Sequence, residues 1–114
     1  MADEVVYIDF EDGKKRVMDN VKLYVKLLTK FRDGTTLDDL EAAFAAGDPE
    51  KAQNAAHTIK GVAANLSLME LYKQSLELET QIKAKTLDAD KFETVKNVFA
   101  QTKQEVDKVI AQNG

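Results

Sequence analysis

The only histidine of the chain, His57, lies in a segment whose apolar residues recur at helical spacing. A helical wheel at about 100° per residue gathers the apolar side chains on one side and turns His57 roughly the opposite way. The apolar set is Ala52, Ala55, Ala56, Ile59, Val62, Ala63 and Leu66. The spacing therefore predicts that His57 faces water. An exposed imidazole is a fair nucleophile at neutral pH, so His57 is a candidate for covalent chemistry.

Four residues share the predicted outer face with His57: Gln53, Lys60, Gly61 and Ala64. Lys60 places a positive charge one turn from the imidazole, which suits an anionic phosphoryl group on that ring. Gly61 is the only glycine inside a helical pattern, where glycine costs about 1 kcal/mol relative to alanine. Because Gly61 points away from the core, we expect an outside partner to approach the backbone there. A solvated lysine and a tolerated glycine are the plainer interpretations.

The rest of the sequence predicts the helices that position this segment. A short helix is expected at about 11 to 18, after an extended stretch, Val5 to Phe10, that packs on the bundle. Apolar periodicity then predicts helices at about 20 to 32, 37 to 46, 49 to 65, 68 to 84 and 89 to 111. The expected N-caps are Thr36, Asp48, Asp88 and Ser67, the last in a capping box with Glu70. Short loops make neighbouring helices antiparallel. The predicted fold class is all-α, an up-down antiparallel four-helix bundle with additional short N-terminal helices.

Length and composition predict a single globular domain, residues 1–114, because 44% of the residues are hydrophobic and 32% are charged. The net charge of −4 argues against binding to nucleic acid. The absence of cysteine excludes disulfides and thiolate metal sites and fits a cytoplasmic location. No apolar run resembles a signal peptide or a membrane span, so no membrane partner is expected.

The run His57-Thr58-Ile59-Lys60-Gly61, preceded by Ala56 and followed by Val62-Ala63-Ala64-Asn65-Leu66, resembles the signature of the histidine phosphotransfer (HPt) domain of multistep phosphorelays. The resemblance extends over nearly all of the chain. It includes Tyr24, Leu28, Phe31, Leu40, Gly47-Asp48, Leu71 and Leu78-Glu79.

Two positions depart from that family's pattern. Val62 stands where the family often has Ser or Ala, and it is expected to change packing only. Ser67 stands where the family usually has Gly, and it is expected to preserve the turn as a helix cap. Neither departure touches the phosphoacceptor, but both bear on which receiver is recognised.

The resemblance implies that His57, through its Nε2, accepts a phosphoryl group from the aspartyl phosphate of one receiver domain and passes it to the aspartate of another. It also implies that Lys60 steadies the phosphate and that Gln53, Gly61 and Ala64 form the receiver-docking surface. The implied partners are the receiver domains of a hybrid histidine kinase and of a response regulator. No intrinsic cofactor or metal is expected, because Mg²⁺ would come with the receiver. We expect a monomer.

Glu79 is the candidate for orienting the second ring nitrogen of His57. Ser67 lies ten residues after His57, so the returning antiparallel helix brings residues near 76 to 79 level with the imidazole. The alternative interpretation of Glu79 is a solvated helix charge.

Other functions compete with the shuttle. A kinase would need a glycine-rich phosphate loop and an ATP-binding domain, so we expect a phosphoryl carrier and not an enzyme. A metal or haem bundle would need several inward-facing ligands. Two alternatives stay open: the phosphoacceptor module of a larger chemotaxis-type histidine kinase, and a helical interaction module without phosphate chemistry. The Met1 start and the finish at Asn113-Gly114 favour a standalone protein over the kinase module.

Overall fold

A computed structural model describes residues 5–113, which form six α-helices and no strand. In chain order the helices are α1 (Phe10–Arg16), α2 (Val21–Gly34), α3 (Asp38–Ala46), α4 (Pro49–Asn65), α5 (Met69–Lys83) and α6 (Ala89–Asn113). The predicted all-α fold is confirmed, and the predicted helix ends lie within about two residues of the observed ones. None of the helices in this part of the chain is long and apolar enough to cross a membrane.

The four long helices, α2, α4, α5 and α6, share one apolar core, and α1 and α3 are short. Helix α4 packs against α3 and α5, and α6 packs against α2 and α5. Only residues 66–68 join α4 to α5, so these two helices run antiparallel. The largest fully buried apolar side chains are Tyr24, Leu28, Leu40, Leu68, Leu71, Leu78, Ile82, Val95 and Val106. One face of α4 is thereby fixed in the core and its opposite face is left in water.

Side-chain caps determine where three of the long helices begin. Asn20 accepts a hydrogen bond from the backbone N–H of Leu23 at 3.0 Å, at the start of α2. Asp48 accepts one from Lys51 at 3.1 Å, and Asp88 accepts one from Lys91 at 3.2 Å, ahead of α4 and α6. Each cap satisfies an amide that has no partner within its helix.

Two of the predicted caps are wrong. The N-cap of α3 is Leu37, not Thr36, although the Thr36 hydroxyl accepts a hydrogen bond from the backbone N–H of Asp38 at 3.3 Å. The predicted capping box at Ser67 does not form, because the N-cap of α5 is Leu68 and that helix has no side-chain cap. The hydroxyl of Ser67 instead donates to Oδ2 of Asp12 at 2.6 Å. This partner lies 55 residues away in sequence, so a tertiary contact replaces the local cap.

The segment Tyr7–Arg16, here called the N-terminal clamp, is fastened to the turn between α4 and α5. The backbone N–H of Met69 donates to the Tyr7 carbonyl at 2.9 Å, and that of Asp9 donates to the Ser67 carbonyl at 3.0 Å. The expectation that residues Val5 to Phe10 pack on the bundle is confirmed for Ile8 and Phe10, which lie against the core. It is wrong for Val5 and Val6, which are exposed.

Candidate functional site

His57 lies near the middle of α4 on its solvent-facing side. Its side chain is 67% exposed. On the opposite face of the helix, Ala52, Ala56, Ile59 and Ala63 are buried in the core. The predicted outward orientation of His57 is confirmed. The packing of α4 on its neighbours fixes the position of the helix that carries His57.

Glu79 approaches His57 from α5. Oε2 of Glu79 lies 3.1 Å from Nδ1 of His57, and the Glu79 side chain is only 3% exposed. The predicted proximity of the two residues is confirmed. The alternative, a solvated helix charge, is wrong, because the carboxylate is buried where α4 and α5 meet.

Two lysines share the Glu79 carboxylate. Nζ of Lys60 lies 2.7 Å from Oε1, and the Lys60 side chain is 20% exposed. Nζ of Lys83 lies 3.9 Å from Oε2, and the Lys83 side chain is 58% exposed. Lys60 is therefore not an ordinary solvated lysine. Lys83 was not among the predicted site residues, although its position four residues after Glu79 on one helix is a signal that such a pair exists.

The ionisation of Glu79 is the balance of opposing effects. Burial alone would raise the pKa of Glu79, because it penalises the charged form. The close ion pair with Lys60, the hydrogen bond from His57 and the charge of Lys83 outweigh burial and hold the pKa of Glu79 below its ordinary value of 4.5. Glu79 is thus ionised at neutral pH and can only accept hydrogen bonds.

The ionised carboxylate determines which ring nitrogen of a neutral His57 carries the proton. Because Glu79 has no hydrogen to donate, Nδ1 of His57 bears the N–H and donates it to Oε2. Nε2 is then left with its lone pair. Since most of the imidazole is exposed, that lone pair is accessible to an electrophile brought by a partner.

Gly61 lies one turn beyond His57 and is partly exposed. A Cβ placed on Gly61 would meet no other atom within 4 Å, leaving out its chain neighbours and the helix's own backbone. Close helix packing within this domain therefore does not explain the glycine. Gln53 and Ala64 are also partly exposed and lie on the same side of α4 as His57. These three predicted docking residues are thus brought together around the imidazole.

Two ammonium groups meet the carboxylate of Glu79 beside His57, which leaves an excess of positive charge there. This balance suits an anionic group on the imidazole. Within residues 5–113 there is no group of three or more His, Asp or Glu side chains placed to hold a metal ion.

A comparison with protein-family models matches the Hpt domain over residues 27–111. The matched region contains all of α3, α4 and α5, and with them His57, Lys60, Glu79 and Lys83. Searches of curated proteins and of solved structures found no significant match. Because the family model spans most of the 114 residues, and because the exposed histidine lies within the matched region, this chain belongs to the Hpt domain family, whose members carry phosphoryl groups on histidine in phosphorelay signalling.

Proposed function

We propose that the chain is a phosphoryl shuttle, with His57 as the phosphoacceptor between the aspartates of two receiver domains. One observation carries the proposal: an exposed imidazole donates its Nδ1–H to the buried carboxylate of Glu79 and keeps the Nε2 lone pair free. Membership of the Hpt domain family supports the same chemistry.

In the proposed step, the Nε2 lone pair of His57 attacks the phosphorus of an aspartyl phosphate on the donor receiver. The N–P bond forms as the P–O bond to the aspartate breaks, and the aspartate carboxylate leaves with the electron pair. His57 retains its Nδ1 proton throughout. The positive charge that develops on the ring is offset by the Glu79 carboxylate, and the reverse step delivers the phosphoryl group to the second receiver.

The neighbouring residues have supporting roles in this proposal. Lys60 stabilises the phosphoryl oxygens, and Glu79 orients the imidazole. Gln53, Gly61 and Ala64 leave room for the receiver to bring its aspartate to Nε2. Mg²⁺ comes with the receiver, and the chain acts as a monomeric carrier without kinase activity of its own.

The proposed partners are the receiver domain of a hybrid histidine kinase and that of a response regulator. The alternative is that the same histidine serves as the phosphoacceptor module of a larger chemotaxis-type kinase. The two functions differ in the immediate donor. A shuttle takes its phosphoryl group from an aspartyl phosphate, whereas a kinase module takes it from ATP bound to a catalytic domain.

The test is incubation of the chain with a phosphorylated receiver domain and Mg²⁺. We expect phosphate on the chain that is labile in acid and stable in base, as a phosphoramidate is. The His57→Gln variant should accept none while remaining folded, because the side chain it replaces is exposed and Lys60 stays paired with Glu79.

Other outcomes contradict the shuttle. Phosphorylation only by a chemotaxis-type kinase domain with ATP would favour the kinase module. Phosphate that survives acid and lies on Ser or Thr, or the lack of any transfer from either donor, would favour an interaction module without phosphate chemistry.

A further inference from the structure

We propose that Lys83, the last residue of α5, is a second phosphate-binding cation of the His57 site. The proposal rests on the proposed function, because it assigns a further ligand to the phosphoryl group on His57. It follows from the unequal way in which two lysines share the carboxylate of Glu79.

Lys60 is already engaged in the resting protein. Its Nζ lies 2.7 Å from Oε1 of Glu79, and four-fifths of its side chain is covered. A buried carboxylate needs a counter-ion, because an unpaired charge in the interior is costly. If Lys60 moved entirely to a phosphoryl group, it would leave Glu79 without its closest cation.

Lys83 is not engaged in this way. Its separation of 3.9 Å from Glu79 exceeds a hydrogen bond, and more than half of its side chain is exposed. The oxygen that it approaches, Oε2, is the one that accepts the hydrogen bond from His57 Nδ1. Lys83 and His57 therefore approach the same carboxylate oxygen, and the flexible Lys83 stem can carry its ammonium group toward a group attached to the ring.

Charge balance indicates why a second cation is needed. A phosphoryl group brings close to two negative charges at neutral pH, and His57 already contacts the negative Glu79. One lysine cannot neutralise both anions. With Lys60 bridging Glu79 and the phosphoryl oxygens, and Lys83 turned toward the phosphoryl oxygens, the two anions share two cations.

The plainer interpretation of Lys83 is a lysine that stabilises the end of its helix. A cation in the last turn interacts favourably with the helix dipole, and a pair four residues apart adds a little stability. Both effects act on folding and not on phosphoryl transfer, so they are separable by measurement.

The first experiment uses phosphoramidate as a small phosphoryl donor, so that receiver docking does not contribute. The P–N bond of the donor breaks as the bond from His57 Nε2 to phosphorus forms, and the leaving nitrogen departs as ammonia. We expect Lys83→Gln to slow the uptake of phosphate by about three- to tenfold, which is the scale of one charge-assisted contact open to solvent.

Lys108→Gln is the matched control. Lys108 is 66% exposed and pairs with Glu105 on α6, so the variant removes the same charge from a similar surface pair on another helix. We expect it to take up phosphate at the wild-type rate. An unchanged rate for Lys83→Gln, or equal slowing in both variants, overturns the proposal.

A second experiment asks whether Lys83 contacts the phosphoryl group or acts only through Glu79. Lys83→Gln is combined with Glu79→Gln, and the loss is compared with that in the wild-type background. If Lys83→Gln still slows phosphate uptake in the Glu79→Gln background, direct contact with the phosphoryl group is supported. If the slowing disappears in that background, direct contact is overturned and Lys83 is a positioning residue.

The ³¹P resonance of the phosphohistidine provides a readout that does not need the Glu79 variant. It should move in Lys83→Gln and stay in place in Lys108→Gln, and a signal that Lys83→Gln leaves unmoved overturns the proposal. If the wild-type chain takes up phosphate from neither phosphoramidate nor a phosphorylated receiver, the proposed function itself fails. That result is distinguishable from the loss of a single lysine contact.

Discussion

Glu79 is the residue on which the arrangement around His57 depends. Its carboxylate accepts a hydrogen bond from the Nδ1–H of the imidazole and is paired with Lys60 at 2.7 Å. The carboxylate is almost fully buried, and these partners offset the free-energy cost of burying its charge. The same group thus connects the stability of the α4–α5 contact with the protonation pattern of the imidazole.

Replacing Glu79 with Gln should destabilise the fold in a pH-dependent way. The pKa of Glu79 is lowered in the folded protein, so the ionised carboxylate contributes stability above its ordinary pKa of 4.5, and this contribution is lost as the pH falls through the folded value. We expect Glu79→Gln to lower the free energy of unfolding by about 1–3 kcal/mol at neutral pH. The difference in the free energy of unfolding between the variant and the wild type should become smaller below pH 4.5.

Urea unfolding of both proteins near neutral pH and in acid measures this difference. Glu93→Gln serves as the control, because Glu93 is 61% exposed and pairs only with Lys96 on the surface of α6. It should change stability little at either pH. A gap between wild type and Glu79→Gln that stays constant in acid would mean that the charge of Glu79 does not stabilise the fold.

At the scale of elements, α4 combines a buried face that fixes its position with an exposed face that bears His57. Gly61 lies on the exposed face, in open space. Its lack of a side chain therefore costs helix stability with no gain in packing inside the domain. We attribute the glycine to the partner that must approach His57.

Two substitutions of Gly61 should separate folding from transfer. Gly61→Ala should raise stability by up to about 1 kcal/mol and change transfer little, since a Cβ meets nothing there. Gly61→Arg also introduces a good helix former, but its bulk stands one turn from His57 and should block the receiver. Thermal midpoints and transfer rates from a phosphorylated receiver test both variants. Wild-type transfer by Gly61→Arg would show that no partner docks at this position.

The turn between α4 and α5 contains a second informative position. Ser67 has a φ of +56°, a left-handed conformation that glycine adopts more easily, and its hydroxyl bonds to Asp12. The strained backbone conformation of Ser67 is thus compensated by the hydrogen bond from its hydroxyl to Asp12 of the N-terminal clamp. This explains how the chain tolerates serine where the family usually has glycine.

Ser67→Ala and Ser67→Gly should differ in stability. Alanine keeps the strained φ and loses the hydrogen bond to Asp12, so we expect a loss of about 1–2 kcal/mol. Glycine also loses the bond but relieves the strain, so its net effect should be close to zero. Chemical denaturation of the two variants provides the comparison. Equal losses would mean that the backbone conformation at Ser67 stores no strain.

On the scale of the whole molecule, the N-terminal clamp ties the segment before α2 to the turn after α4. Tyr24 is central to this connection, because its hydroxyl donates to the Leu66 carbonyl at 2.6 Å and its ring lies against Gly13. Burial, with smaller contributions from Asp9 and Asp12, raises the pKa of Tyr24 to about 12. The hydroxyl therefore remains a donor throughout the physiological range.

Gly13→Ala should loosen this connection. A Cβ on Gly13 would overlap the buried ring of Tyr24, so we expect a loss of about 1–3 kcal/mol. Gly34→Ala is the control, because a Cβ at the end of α2 meets no atom and should leave stability unchanged or slightly higher. Thermal unfolding measures both. If Gly13→Ala is as stable as wild type, α1 adjusts without straining Tyr24 and the clamp contributes little to the fold.

The sequence by itself determined most of the secondary structure and the exposure of His57. Apolar spacing is enough for this, because a helix turns by a constant angle and the core takes one face of it. The caps at Asp48 and Asp88 were predictable for the same reason, since they depend on a few neighbouring residues. The assignment of residues 1–114 to one domain stays a prediction, because the family match begins at residue 27.

The tertiary structure decided the features that depend on residues far apart in the chain. Ser67 satisfies the conditions for a local cap, yet a partner 55 residues away binds its hydroxyl. The position of Glu79 near His57 was predictable from the length of the turn, but its burial and its pairing with Lys60 were not. Helix periodicity specifies which face a side chain occupies; how two helices meet depends on the packing of the whole core, and that packing selects which charges come into contact.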